Sequence, residues 1–113
     1  MHDSTGLVTA SPAVNLNGVK PELIAFAQHL AVLHGMLFGL DLVITSGKDS
    51  EHVAGSLHAQ GLALDLRVKD LDAGGQMLFL AVLNYAAPDN HIAVFDERAL
   101  PGAPHLHIEY HGQ

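Results

Sequence analysis

Two segments of this chain alternate between bulky apolar side chains and mostly ionisable ones, and they constrain the fold more than any other feature. From Leu62 to Val68, Leu62, Leu64 and Leu66 fall on one side of an extended backbone while Ala63, Asp65 and Arg67 fall on the other. From residue 105 to residue 111, Leu106, Ile108 and Tyr110 alternate with His105, His107, Glu109 and His111. A period of two over such lengths predicts half-buried strands. The leucine side of each strand needs a core, so both ionisable sides look away from it. If the two strands are neighbours in one sheet, Asp65 and the histidine row converge.

The remaining patterns supply the elements that cover the apolar side. Pro21 suits the first turn of a helix. From Glu22 onward, Leu23, Phe26, Ala27, Leu30, Leu33 and Leu37 recur at the spacing of one buried helical face, with Gly35 and Gly39 marking its end. Leu42-Val43-Ile44-Thr45 reads as a buried strand that enters a polar loop at Ser46-Gly47, and that loop runs to about Gly61. Ala73 to Ala86 reads as a largely buried helix stopped before Pro88. His91 to Phe95 is a further strand, and the first 18 residues read as an irregular lead-in. The order helix, strand, loop, strand, helix, strand, strand predicts an α+β fold, a small antiparallel or mixed sheet with helices packed on one face. A chain of 113 residues builds one core, so residues 1–113 are expected to form a single domain.

Charge and composition narrow the partners. Lys and Arg total 5 against 12 Asp and Glu, a formal charge of −7, so no basic surface is expected to neutralise phosphates and nucleic acid is excluded as a partner. Cysteine is absent, which leaves His and carboxylates as the available metal ligands. The longest apolar stretch, Leu30 to Leu42, is interrupted by His34, Gly35, Gly39 and Asp41, so no membrane insertion is expected. Residues 1–10 lack the basic and apolar regions of a secretory signal. The expectation is synthesis in the cytoplasm, with release or export by other means if the substrate lies outside.

A catalytic zinc site usually takes three protein ligands from His, Asp and Glu and keeps a further position for water. Asp65 and His107 occupy the ionisable faces of the two alternating strands, and His58, in the loop just before the first of them, can close a triad. The segment Ser56-Leu57-His58-Ala59-Gln60-Gly61-Leu62-Ala63-Leu64-Asp65 resembles the SxHxxGxAxD motif of the M15 family of D-Ala-D-Ala peptidases at every specified position. His105-Leu106-His107 is similar to the HxH that closes the zinc site across the wider superfamily, which includes lysostaphin-type peptidases and the hedgehog signalling domain. The resemblance runs from about Lys20 to the end of the chain. It implies a hedgehog/D-Ala-D-Ala-peptidase-like sheet and a Zn2+ cofactor held by His58, Asp65 and His107. It further implies that Ser56 lines the substrate site. The implied activity is hydrolysis of a peptide bond in peptidoglycan stem peptides, by a D-Ala-D-Ala carboxypeptidase or an L-Ala-D-Glu endopeptidase.

Two departures from that pattern matter for the chemistry. Many of these enzymes carry an acidic residue three positions before the last His ligand, where this chain has Pro104. A proton acceptor must then come from His105, two residues from His107 and so roughly 6.5–7 Å away along a strand, or from a carboxylate such as Asp96 or Glu97. The Ser-Gly-Tyr-Arg-Ser loop of relatives here reads Ser46-Gly47-Lys48-Asp49-Ser50, leaving Lys48 or Arg67 to supply positive charge. Asp49 and His52 fall in a stretch resembling SGxDxxH, with a site-rim or a loop-ordering role, while His29 and His34 read as surface or satisfied core histidines. The alternative to catalysis is a non-catalytic zinc module with the same ligands. A non-haem iron oxygenase is a weaker third reading, because six residues separate His58 from Asp65 where such sites commonly place one residue between ligands.

Overall fold

The computed structural model describes residues 6–47, 60–87, 91–100 and 103–111. Seven elements follow in order: β1 (Leu7–Thr9), α1 (Pro21–Phe38), β2 (Leu42–Ser46), β3 (Ala63–Arg67), α2 (Ala73–Ala86), β4 (Ile92–Asp96) and β5 (His105–Tyr110). The strands form one sheet in the order β1-β2-β3-β5-β4, with β1 parallel to β2 and every other pairing antiparallel. Among the described residues this is an α+β fold with a mixed five-stranded sheet and two helices.

The two alternating segments become the central strands, β3 and β5. Leu64 pairs with Ile108 and Leu66 with Leu106, and all four side chains are fully buried. Leu42 and Ile44 of β2 join them, and Leu23, Phe26, Ala27 and Leu30 of α1 and Phe79 and Leu83 of α2 complete the same apolar cluster. Each such Leu, Ile or Phe side chain removed from water contributes about 1.5–3 kcal/mol. The opposite sheet face is thereby left to Asp65, Arg67, His105, His107 and Glu109.

Three expectations are corrected. The lead-in is not irregular throughout, because Leu7–Thr9 forms β1 and buries Leu7 through its parallel register with Leu42. In α1, Leu37 is 47% exposed and His34 is buried in its place. His34 fits there because its Nδ1 bonds the Leu40 carbonyl at 2.9 Å and its ring meets Phe38 and Phe79 edge-on. The helix α2 is not largely buried: it commits Phe79 and Leu83 to the core and leaves Met77, Leu78 and Tyr85 exposed. Its start is fixed by Asp72, whose side chain accepts from the Gly75 amide at 2.7 Å.

Two glycines in the left-handed region do different work. Gly39 ends α1 at φ 67°, its amide returning to the Gly35 carbonyl, and a Cβ there would meet nothing within 4 Å. Gly61 (φ 75°) enters β3, and a Cβ there would run into the Gly18 carbonyl oxygen. The contact is fixed by the bond from the Lys20 amide to the Gly61 carbonyl, 2.8 Å, which ties the start of α1 to the start of β3. Gly39→Ala is therefore expected to cost only the conformational penalty, about 1–2 kcal/mol. Gly61→Ala adds a backbone clash and is expected to cost more than about 3 kcal/mol. Urea unfolding of the two variants checks the order.

Candidate metal centre

Register brings the ionisable groups together. Asp65 lies directly opposite His107 across β3 and β5, Arg67 opposite His105, and Phe95 of β4 opposite His107 on the other side. A register shift between Ile44 and Ser46 puts Ser46, rather than Thr45, across from Asp65, as a β-bulge does when it re-aims a strand beside a site. Glu97 follows β4 directly and falls beside the N-terminal end of β5, where His105 begins the strand.

The contacts form a chain of imidazoles and carboxylates. His107 Nδ1 bonds Asp65 Oδ1 at 2.7 Å and its Nε2 bonds Glu109 Oε1 at 2.8 Å. His105 Nε2 bonds Glu97 Oε1 at 2.8 Å and lies 3.9 Å from Asp65 Oδ1, while its Nδ1 faces the Ala103 carbonyl at 3.2 Å. Glu97 Oε1 is also 3.9 Å from His107 Nδ1. His111, half exposed, bonds the second oxygen of Glu109. The Phe95 ring stands 5.9 Å from the His107 ring, centroid to centroid, and closes its flank.

His107 is 8% exposed and both its ring nitrogens meet carboxylate oxygens. Ionised carboxylates only accept hydrogen bonds, so this arrangement favours the imidazolium. Burial pushes the His107 pKa down, but the bond to Asp65 and its charge, with Glu109 and Glu97 behind them, outweigh burial and raise it above the ordinary histidine value. Asp96 behaves oppositely: bonds from the Arg98 side chain and amide lower its carboxyl pKa to about 2. A carboxylate that weakly basic, already paired with Arg98 at 2.7 Å, is a poor proton acceptor. Of the two carboxylates considered as substitutes for an acid at position 104, Glu97 is the one that reaches the histidines. Pro104 serves the ladder through its carbonyl, which accepts from the Val68 amide at 3.2 Å.

The side-chain donor atoms of Asp65, Glu97 and His105 all lie within 4.8 Å of one another, a group able to hold a metal ion. The chemistry of the set suits a divalent cation, since carboxylate and imidazole ligands approach to about 2.0–2.2 Å. Asp65, His105 and His107 are thus brought together, whereas His58, Ser56, Asp49 and His52 lie outside the described residues. Glu109 received no role from the sequence, although the alternation that put it on the histidine face was the signal for it. No protein-family model matches the chain, and no curated protein matches it at a significant level.

The raised His107 pKa gives a signed expectation for the metal-free protein. Stability drawn from protonated His107 is fully present below the unfolded histidine pKa and is lost as pH rises through the higher folded value. Replacing His107 by Asn is expected to destabilise the metal-free chain more at about pH 6 than at about pH 8.5. Thermal unfolding of both proteins at the two pH values checks it, and an equal loss at both contradicts it.

Proposed function

We propose that the protein is a zinc-dependent hydrolase that cleaves a peptide bond in peptidoglycan stem peptides, with His58, Asp65 and His107 as metal ligands and Ser56 lining the substrate site. The observation that carries this reading is the pairing of Asp65 Oδ1 with His107 Nδ1 at 2.7 Å, directly beside a second pair, His105 Nε2 with Glu97 Oε1 at 2.8 Å. The motif resemblance supplies the third ligand and the substrate class, and a hedgehog/D-Ala-D-Ala-peptidase-like sheet is part of the same proposal.

The two histidines are assigned different tasks by their second nitrogens. His107 has Nε2 held by Glu109 at 2.8 Å, the outer carboxylate that fixes the tautomer and orientation of a ligating imidazole and raises its basicity. His105 instead has Nδ1 turned to the Ala103 carbonyl and Nε2 turned to Glu97. Donation from Nδ1 leaves Nε2 as the nitrogen that exchanges protons, with Glu97 to share them. A ligand role for His105 alongside Asp65 and Glu97 is the competing assignment, and it would consume the pair that moves protons.

A zinc ion bound by this set supplies Lewis acidity, lowering the pKa of a water and polarising the scissile carbonyl. His105 and Glu97 then accept the proton released by the attacking water and return it to the amine nitrogen as the C–N bond breaks.

The zinc-loaded protein is expected to release peptides from purified peptidoglycan. His105→Ala should lower kcat by about 10²–10⁴ while zinc stays bound. Asp65→Asn and His107→Ala should weaken zinc by more than the about 10–100-fold that loss of an outer partner costs. Full zinc occupancy in the native chain without peptide release would overturn the hydrolase in favour of the non-catalytic zinc module. Loss of zinc on changing His105 but not His107 would exchange their roles.

A further inference from the structure

Each helix carries a second apolar stripe that the core does not use. On α2, Leu78, Ala81, Val82 and Tyr85 recur at i, i+3, i+4 and i+7, a helical face of their own beside the buried Phe79 and Leu83. Leu33, Met36 and Leu37 of α1 and Ala81, Val82 and Tyr85 of α2 line a groove of about 450 Å³ between the helices, which joins the two stripes into one surface. Met36 is 78% exposed and Tyr85 95%, while Val32, Leu37, Leu40 and Leu78 are each nearly half exposed. Together these six expose on the order of 700 Å², more than the about 300–600 Å² of the largest apolar patch on a typical monomer. Charge is missing from the same surface. Between Glu22 and Asp41 α1 has no Asp, Glu, Lys or Arg, and α2 has none from Ala73 to Ala86. A helix facing water ordinarily sets charged side chains opposite its buried stripe, and neither of these does.

We propose that the outer face of α1 and α2 binds a second copy of this chain about a two-fold axis. Its exposed area is close to the about 800 Å² that each partner contributes to a standard interface. The lack of charge keeps the carboxylates of two chains of net charge −7 out of contact, and it also removes the charge pattern by which a foreign protein partner would be selected. A two-fold contact needs only one patch that matches itself, and it closes without leaving a further sticky surface. A membrane is the poorer fit, because α1 and α2 offer none of the Lys and Arg that draw an amphipathic face to anionic lipid. Both helices pack on the sheet face opposite Asp65 and the histidines. Pairing therefore sets the copies back to back, with both ionisable faces open. The inference does not rest on the peptidase reading.

The test is sedimentation equilibrium of the full chain over a concentration series. The native protein is expected to have twice the chain mass at about 100 µM and to dissociate on dilution, with a thermal midpoint that rises with concentration. The double variant Met36→Glu, Tyr85→Glu places charges at the two most exposed apolar positions of the face. It should raise the dissociation constant at least about a hundredfold and lose the concentration dependence of the midpoint, with helix content and zinc binding unchanged. The double variant Met36→Leu, Tyr85→Phe keeps the apolar area and should remain a dimer. A native chain that is monomeric at about 100 µM overturns the proposal, and so does a dimer that survives both glutamates. A chain that is monomeric in solution and co-sediments with phosphatidylcholine vesicles also overturns it and gives the face to lipid.

Discussion

The pairing of Asp65 with His107 across β3 and β5 is the interaction on which the rest of the site depends. It needs the two strands to be adjacent, antiparallel and in one register, since a slip of one residue in either strand would turn its ionisable side chains into the core and bring its apolar ones to the surface. The leucines prevent that slip. Leu64, Leu66, Leu106 and Ile108 are fully buried under the helices, so the energy that fixes the core also fixes the ionisable face. Fold stability and site geometry are therefore set by the two sides of the same pair of strands.

That face holds its charges in tension. Three carboxylates, Asp65, Glu97 and Glu109, share their oxygens among His105, His107 and His111. Without a metal, the raised His107 pKa lets an imidazolium balance Asp65. A metal ion would take over that balance, and because it needs neutral imidazole its binding must strengthen as pH rises. Protonated His107 and a bound cation are thus alternative ways of satisfying one carboxylate, a competition that follows from the 2.7 Å contact.

The sequence made β3 and β5 legible because alternation has one structural meaning, and from it the convergence of Asp65, His105 and His107 followed. Elsewhere the pattern was degenerate. On α1, both Leu37 and His34 continue a helical stripe from Leu30 and Leu33, and tertiary packing chose His34 because Leu40 supplied an acceptor and Phe38 and Phe79 supplied rings. On α2, apolar residues lie nearly all round, so composition alone overstated how much of it is buried. Three residues are too few for periodicity to find β1, which exists through its pairing with β2. Glu97 was one of two candidates in sequence, and the difference lies in position: Asp96 turns to Arg98, while Glu97 emerges beside His105.

The division of labour between His107 and His105 is the central claim, and a zinc-bound crystal structure tests it most directly. Zinc is expected at about 2.0–2.2 Å from His107 Nδ1 and from an Asp65 oxygen, with His58 as the third protein ligand. His105 Nε2 should remain off the metal, within hydrogen-bond reach of Glu97 and of a water on the zinc. Zinc ligated by Asp65, Glu97 and His105, with His107 still bonded to Asp65, would contradict it.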